Sequence, residues 1–142
     1  MLRHATPEDI PWLAHQMLLL KTLTGWATYP QPGYNYESLT RFLTLRLVAS
    51  DSVCWVWCPA GVPTAFCGGD LQTFVLPPYM PCVLEWGWGG ERRGAVRCWH
   101  ALVAWGRDHG AQLAGRVQPS CGYAPNRIEE YIKWKVINHG EL

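Results

Sequence analysis

Two hydrophobic rhythms divide the chain. Over residues 6–24, Ile10, Leu13, Met17 and Leu20 recur every three or four positions, which is the spacing of one helix face. Thr6 stands where a helix cap stands, Pro7 suits the first helical position, and Asp9 holds the place of a capping-box acid. Pro11 predicts either a kinked first turn or a helix that starts nearer Asp9. A short strand over residues 2–5 precedes this helix. Residues 25–36 read as a Pro/Gly/Tyr loop. A second helix follows at about 37–48, with Leu39, Phe42, Leu43 and Leu47 on its inner side.

The rhythm then shortens to that of strands. Val53 to Cys58 is a β-branched and aromatic run, Pro59-Ala60-Gly61 is a turn, and Pro63 to Val75 resumes the strand pattern with an interruption expected at Gly68-Gly69. Pro77-Pro78 ends that hairpin. In the next strand, Cys82, Leu84, Trp86 and Trp88 are expected to share one face and Val83 and Glu85 the other. Gly89 to Gly94 reads as a loop leading into a helix at about 95–109. Val96, Trp99, Leu102, Val103 and Gly106 make its expected apolar face, and Gly110 makes its stop. Ala111 to Val117 is another strand, so the centre of the chain has the order of a βαβ crossover. The tail has two readings. Asn126 and Glu129 have capping-box spacing, which favours a helix closed by Gly140, while Tyr131 to Val136 also alternates like a strand.

Composition narrows the class of protein. The 142 residues suit one domain, residues 1–142, and a chain of this size can bury a core without staples. Charged residues are only 16%, which argues against disorder. The formal charge of +1 lacks the basic excess of an electrostatically driven nucleic-acid binder. No apolar run approaches the roughly 20 residues of a membrane span, and no signal peptide is expected at the N-terminus. No nucleic-acid or membrane partner is therefore expected.

The six cysteines, Cys54, Cys58, Cys67, Cys82, Cys98 and Cys121, sit mostly in apolar strand-like runs. No Cys-x-x-Cys pair or finger-spaced His accompanies them, so buried thiols are preferred over disulfides or a metal site, and a cytoplasmic location fits best. Nine tryptophans are many for this length. Their pairing as Trp55/Trp57 and Trp86/Trp88 is read as core, with a stacking surface for a sugar or base as the alternative.

The segment richest in candidate chemistry is Glu85 to Ala111. A glycine-rich loop between strand and helix offers free N–H groups at a helix N-terminus, a geometry that holds a diphosphate, and Arg92, Arg93 and Arg97 add charge. The plainer reading is a tight turn with solvated arginines.

Three stretches carry a family resemblance. Arg3-His4-Ala5-Thr6-Pro7-Glu8-Asp9-Ile10-Pro11-Trp12-Leu13 resembles the first strand and helix of the GNAT acyltransferase superfamily, and Gly61 to Gly68 resembles the hairpin after its second helix. Glu91-Arg92-Arg93-Gly94-Ala95, followed by Trp105 to Ala111, resembles its coenzyme A loop and the helix after it. The chain is similar in particular to short, divergent GNAT-like proteins encoded by bacteriophages, some of them virion parts.

The resemblance implies a single α/β domain with a mixed, mostly antiparallel sheet flanked by helices. It also implies acyl transfer from acetyl-CoA to an amine, in the cytoplasm of a cell or, for a phage protein, in a host or virion. The alternative is a non-catalytic protein on the same fold, acting as a homo-oligomer or virion component. Glu85 matches the family's base and Tyr131 its acid. Gly87, Trp88, Gly90, Arg92, Arg93, Gly94, Ala95 and Asn126 match positions that hold the coenzyme, and no metal is implied. The loop departs from the family pattern: Glu91 stands where Arg or Gln is usual, and Val96 where Gly or Ala is usual.

Overall fold

The computed structural model describes residues 1–23, 35–73, 80–119 and 130–137. Strand β1 (Leu2–His4) leads into a 3-10 turn at Pro7–Asp9, which widens into helix α1 (Ile10–Leu23). The capping box forms as the sequence predicts: the Asp9 carboxylate accepts the Thr6 N–H at 2.7 Å and the Thr6 hydroxyl at 3.3 Å. The 3-10 turn resolves the two readings of Pro11, because the α-helix proper begins beside it and Pro11 falls in its first turn. Helix α2 (Tyr36–Val48) is capped by Asn35, whose side chain accepts the Ser38 N–H at 2.9 Å. The expected Pro/Gly/Tyr loop, the Pro77-Pro78 break and the tail beyond residue 137 lie outside the described residues, as does most of the segment before residue 130.

Strands β2 (Ser52–Trp57), β3 (Ala65–Thr73) and β4 (Pro81–Gly90), then helix α3 (Arg92–Asp108) and strands β5 (Leu113–Pro119) and β6 (Glu130–Val136) complete the chain. The sheet runs in chain order β1 to β6, with β4 and β5 parallel and every other pair antiparallel. The β4–α3–β5 segment is the predicted crossover. The tail takes the strand alternative rather than the favoured helix. Seven register pairs with β5, from Leu113↔Val136 to Pro119↔Glu130, give β6 a ladder that local capping at Asn126 could not foretell.

Two cores flank the sheet. Ile10, Leu13, Ala14, Met17, Leu39 and Leu43 bury α1 and α2 on one face, together with Phe66. On the other, Cys98, Trp99 and Leu102 of α3 pack with Cys67, Val83, Ala111 and Ala114. The α3 face is the expected one at Trp99, Leu102 and Gly106, which are buried, but Val96 stands exposed and Ala95 and Cys98 are buried in the turn before and beside it. Gly110 stops the helix in the left-handed region at φ 88°, as expected.

Candidate functional site: a strand fork and a self-capped helix

The register of β4 breaks once. Glu85 lies opposite Gly69 and Gly87 opposite Gly68, so Trp86 is one residue too many on β4. Such a bulge bends its strand and resets the alternation of side chains. Before it, Val83 and Glu85 face α3. After it, Trp88 also faces α3, while Trp86 and Gly87 both face the α1 and α2 side. The expected common face for Trp86 and Trp88 is thus corrected. Strict alternation holds only where no residue is inserted.

Beside the bulge, β4 and β5 part. They pair at Cys82↔Leu113, Val83↔Ala114 and Leu84↔Gly115, and then β4 continues to Gly90 and β5 to Pro119 without pairing to each other. On the side away from β3, the N–H and C=O groups of this stretch of β4 meet no strand among the described residues. Glu85, the first residue past the last pair, is buried at 3% exposure. Its carboxylate lies near Cys67, whose thiol is pushed well up, first by burial and next by the negative charge of Glu85. Arg116, the first residue of β5 past the pairing, reaches back across the fork. Its guanidinium sits 4.6 Å from the Trp88 ring centre and 5.4 Å from that of Trp99. The Nε of Arg116 is buried without a hydrogen-bond partner among the described residues.

The glycine-rich loop is absent as a loop. Gly89 and Gly90 belong to β4, Arg92 opens α3, and Glu91 alone joins them. Gly90 turns the chain at φ 89°, where an added Cβ would run into the Thr64 carbonyl and Ala65. The Glu91 N–H donates to that Thr64 carbonyl at 2.8 Å. The Glu91 carboxylate then folds over the helix end, accepting the Arg93 N–H at 2.8 Å and the Gly94 N–H at 2.7 Å. An acidic side chain is favourable there because it satisfies two orphan donors and meets the positive end of the helix dipole.

The matched residues therefore separate. Glu85, Gly87 and Trp88 lie along the fork. Gly94 and Ala95 are buried in the first turn of α3, and Arg92 and Arg93 are exposed at its end without an ion pair among the described residues. Arg97 is engaged, its guanidinium 4.7 Å from the Trp57 ring centre. Tyr131 sits on β6 opposite Gln118, in a strand rather than a terminal helix. Asn126 lies outside the described residues. Reading the sequence missed Arg116, which had no local signal because Trp88 and Trp99 come from other elements. It noticed Glu91 as a departure but not as a cap, because glutamate is not among the residues usually found at that position.

The residues fit a coenzyme A thioester in one part and not in another. The fork offers a slender arm an open strand edge beside a buried carboxylate. The helix end offers a diphosphate few donors, because the Glu91 carboxylate already holds the N–H groups of Arg93 and Gly94. No group of three or more potential metal ligands occurs among the described residues, and no helix there is long and apolar enough to cross a membrane.

No protein-family model matches the sequence, and no curated protein does so significantly. Solved structures do match. A predicted acetyltransferase from Clostridium acetobutylicum, solved with acetyl-CoA, superposes with a TM-score of 0.67 at 16% identity, covering 83% of this chain and 80% of that one. An acetyltransferase from Vibrio fischeri gives 0.62 at 14% identity, covering 82% and 93%. An acetyltransferase of the GNAT family from Streptococcus pneumoniae gives 0.58 at 11% identity, covering 97% and 99%. With its six-stranded mixed sheet, its β4–α3–β5 crossover and its parted β4 and β5, this chain has the GNAT acyltransferase fold.

Proposed function

We propose that the protein is an N-acyltransferase that takes its acyl group from a coenzyme A thioester held in the fork between β4 and β5. The observation that carries this reading is the buried Glu85 carboxylate at the point where the two strands part. The thioester would supply an activated acyl group. Glu85 would take the proton from the acceptor ammonium, and the open N–H groups of β4 near Gly87 and Trp88 would donate to the acyl oxygen as it gains charge. Tyr131, on β6, is the proposed proton donor to the departing thiolate. The likeness to an acetyltransferase solved with acetyl-CoA supports the choice of donor. The acceptor is an amine, and the proposed location is the cytoplasm.

The capped helix end favours a second reading, a non-catalytic protein on the same fold that works through self-association or a protein partner, such as a virion component. One experiment separates the two. On the first reading, acetyl-CoA raises the melting temperature of the protein, because a ligand bound only by the folded state stabilises it. Glu85→Gln keeps that shift while abolishing transfer to an amine. A folded sample that shows no shift at millimolar acetyl-CoA would exclude the transferase and leave the second reading.

A further inference from the structure

We infer that Glu91 is a specificity-determining residue that occupies, with its own carboxylate, the place a diphosphate would take at the N-terminus of α3. The inference rests on the proposed donor site only for its biological meaning, since the contact itself is structural. The first turn of α3 has few donors to offer. Arg93 N–H and Gly94 N–H go to the two oxygens of Glu91, and Ala95 N–H goes to the Glu91 carbonyl at 2.8 Å. Of these first N–H groups, only that of Arg92 has no partner among the described residues. A diphosphate reaching for the helix end would therefore meet a carboxylate at hydrogen-bonding distance from the same donors, and like charges that close repel strongly.

Two further contacts keep this arrangement from opening easily. The Glu91 backbone is tied to Thr64 on β3's approach by its N–H, and Gly90 before it sits in a turn already pressed on Thr64 and Ala65. On the other side, Gly94 is packed so tightly that an added Cβ would lie 2.5 Å from Trp57 Cδ1 and 2.8 Å from the Ala65 Cβ. The cap is thus held between two fixed backbone points, and the connection has no spare residues with which to form a cradle. Exposed Arg92 and Arg93 would draw an anion to this corner, but the nearest donors are already taken. The fork keeps its open edge for a thioester arm, so the acyl donor best suited to this site is a thioester recognised through its pantetheine arm, with no diphosphate required at the helix end.

The test uses inorganic diphosphate, which has no arm and so reports on the helix end alone. Amide resonances of Arg93 and Gly94 are followed by NMR in the wild type, Glu91→Ser and Glu91→Gln. Serine is a good neutral cap, so that variant keeps the helix while removing the charge. Wild type is expected to show no saturable shift at these amides up to millimolar diphosphate, and the neutral variants to bind at least tenfold more tightly. With coenzyme A and pantetheine as ligands, wild type should bind both about equally, while Glu91→Ser should prefer coenzyme A. Wild-type binding as tight as the variants', or folded variants with no gain, overturns the inference. If diphosphate behaves as expected but acetyl-CoA shifts no melting temperature, the transferase reading fails and the role of Glu91 stands. The reverse pair of results fells only the inference.

Discussion

Trp86 lies across Gly68. The indole covers β3 at a position where a side chain is absent, and any Cβ added at Gly68 would overlap its six-membered ring. The indole also meets Phe42 of α2 edge-on, with ring centres 5.2 Å apart, and its Nε1 donates to the Ser52 hydroxyl at 3.4 Å. Trp86 is the extra residue of the β4 bulge, so this contact holds the bulge beside the point where β4 and β5 part.

Gly68→Ala should therefore destabilise the protein by about 1–3 kcal/mol, as overpacking does. Adding Trp86→Leu should recover part of that loss, because the two sites share one contact. Urea denaturation of the four proteins in this cycle measures it. Equal midpoints for Gly68→Ala and wild type would show that the indole does not rest there.

The helix cap makes a prediction of opposite sign at neighbouring residues. Glu91→Ala should lower stability by about 1 kcal/mol, since two backbone donors lose their acceptor. Arg92→Ala with Arg93→Ala should leave stability unchanged or raise it slightly, because exposed cations at a helix N-terminus oppose the dipole by roughly 0.3–1 kcal/mol each. A clear loss on removing the arginines would point to ion pairs that the described residues do not contain.

Acid should weaken the fold in part through Asp9. Burial alone would raise its pKa, but hydrogen bonds from the Arg3 guanidinium at 2.7 and 3.0 Å and from the Thr6 N–H outweigh that and hold the carboxyl below its ordinary value. The folded pKa is thus below the unfolded one, so on acidification the unfolded chain takes up the proton first. The stabilisation is whole above the unfolded value, about 3.9, and is lost as pH falls through the folded value. Stability measured against pH should fall in that window for wild type and less so for Asp9→Asn. Parallel curves would remove Asp9 from the account.

The thiols should be silent in the native state. Cys54, Cys58, Cys67, Cys82 and Cys98 are free and buried. Burial pushes the Cys98 thiol up to about 12 and raises Cys54, Cys67 and Cys82 as well, and a thiol that stays protonated is a poor nucleophile. A thiol reagent should modify at most Cys121 quickly. Unfolding without reductant should expose six alkylation sites, as many as the chain has cysteines. Fast labelling of any of the five buried thiols in folded protein would contradict the packing.

What the sequence determined by itself was local. The Thr6 and Asp9 capping box, α2 with Leu39 and Leu43 inward, the turn at Gly61, the stop at Gly110 and the β4–α3–β5 order all follow from residues close together in the chain, where backbone geometry and a period of two or 3.6 decide. The likeness to the acyltransferase fold rested on that order. The tertiary structure decided the rest. Residues 130–136 became a strand because β5 offered a free edge, and pairing outweighed a local capping signal. Trp86 and Trp88 went to opposite faces because β3 supplies one fewer residue than β4 at the bulge, a mismatch that exists only between two strands. Arg116 joined the fork because Trp88 and Trp99, distant in sequence, form its stacking surface. Glu91 became a cap because Gly90 turns sharply against Thr64 and leaves no loop, so the carboxylate next to the helix end is the nearest acceptor for its open N–H groups.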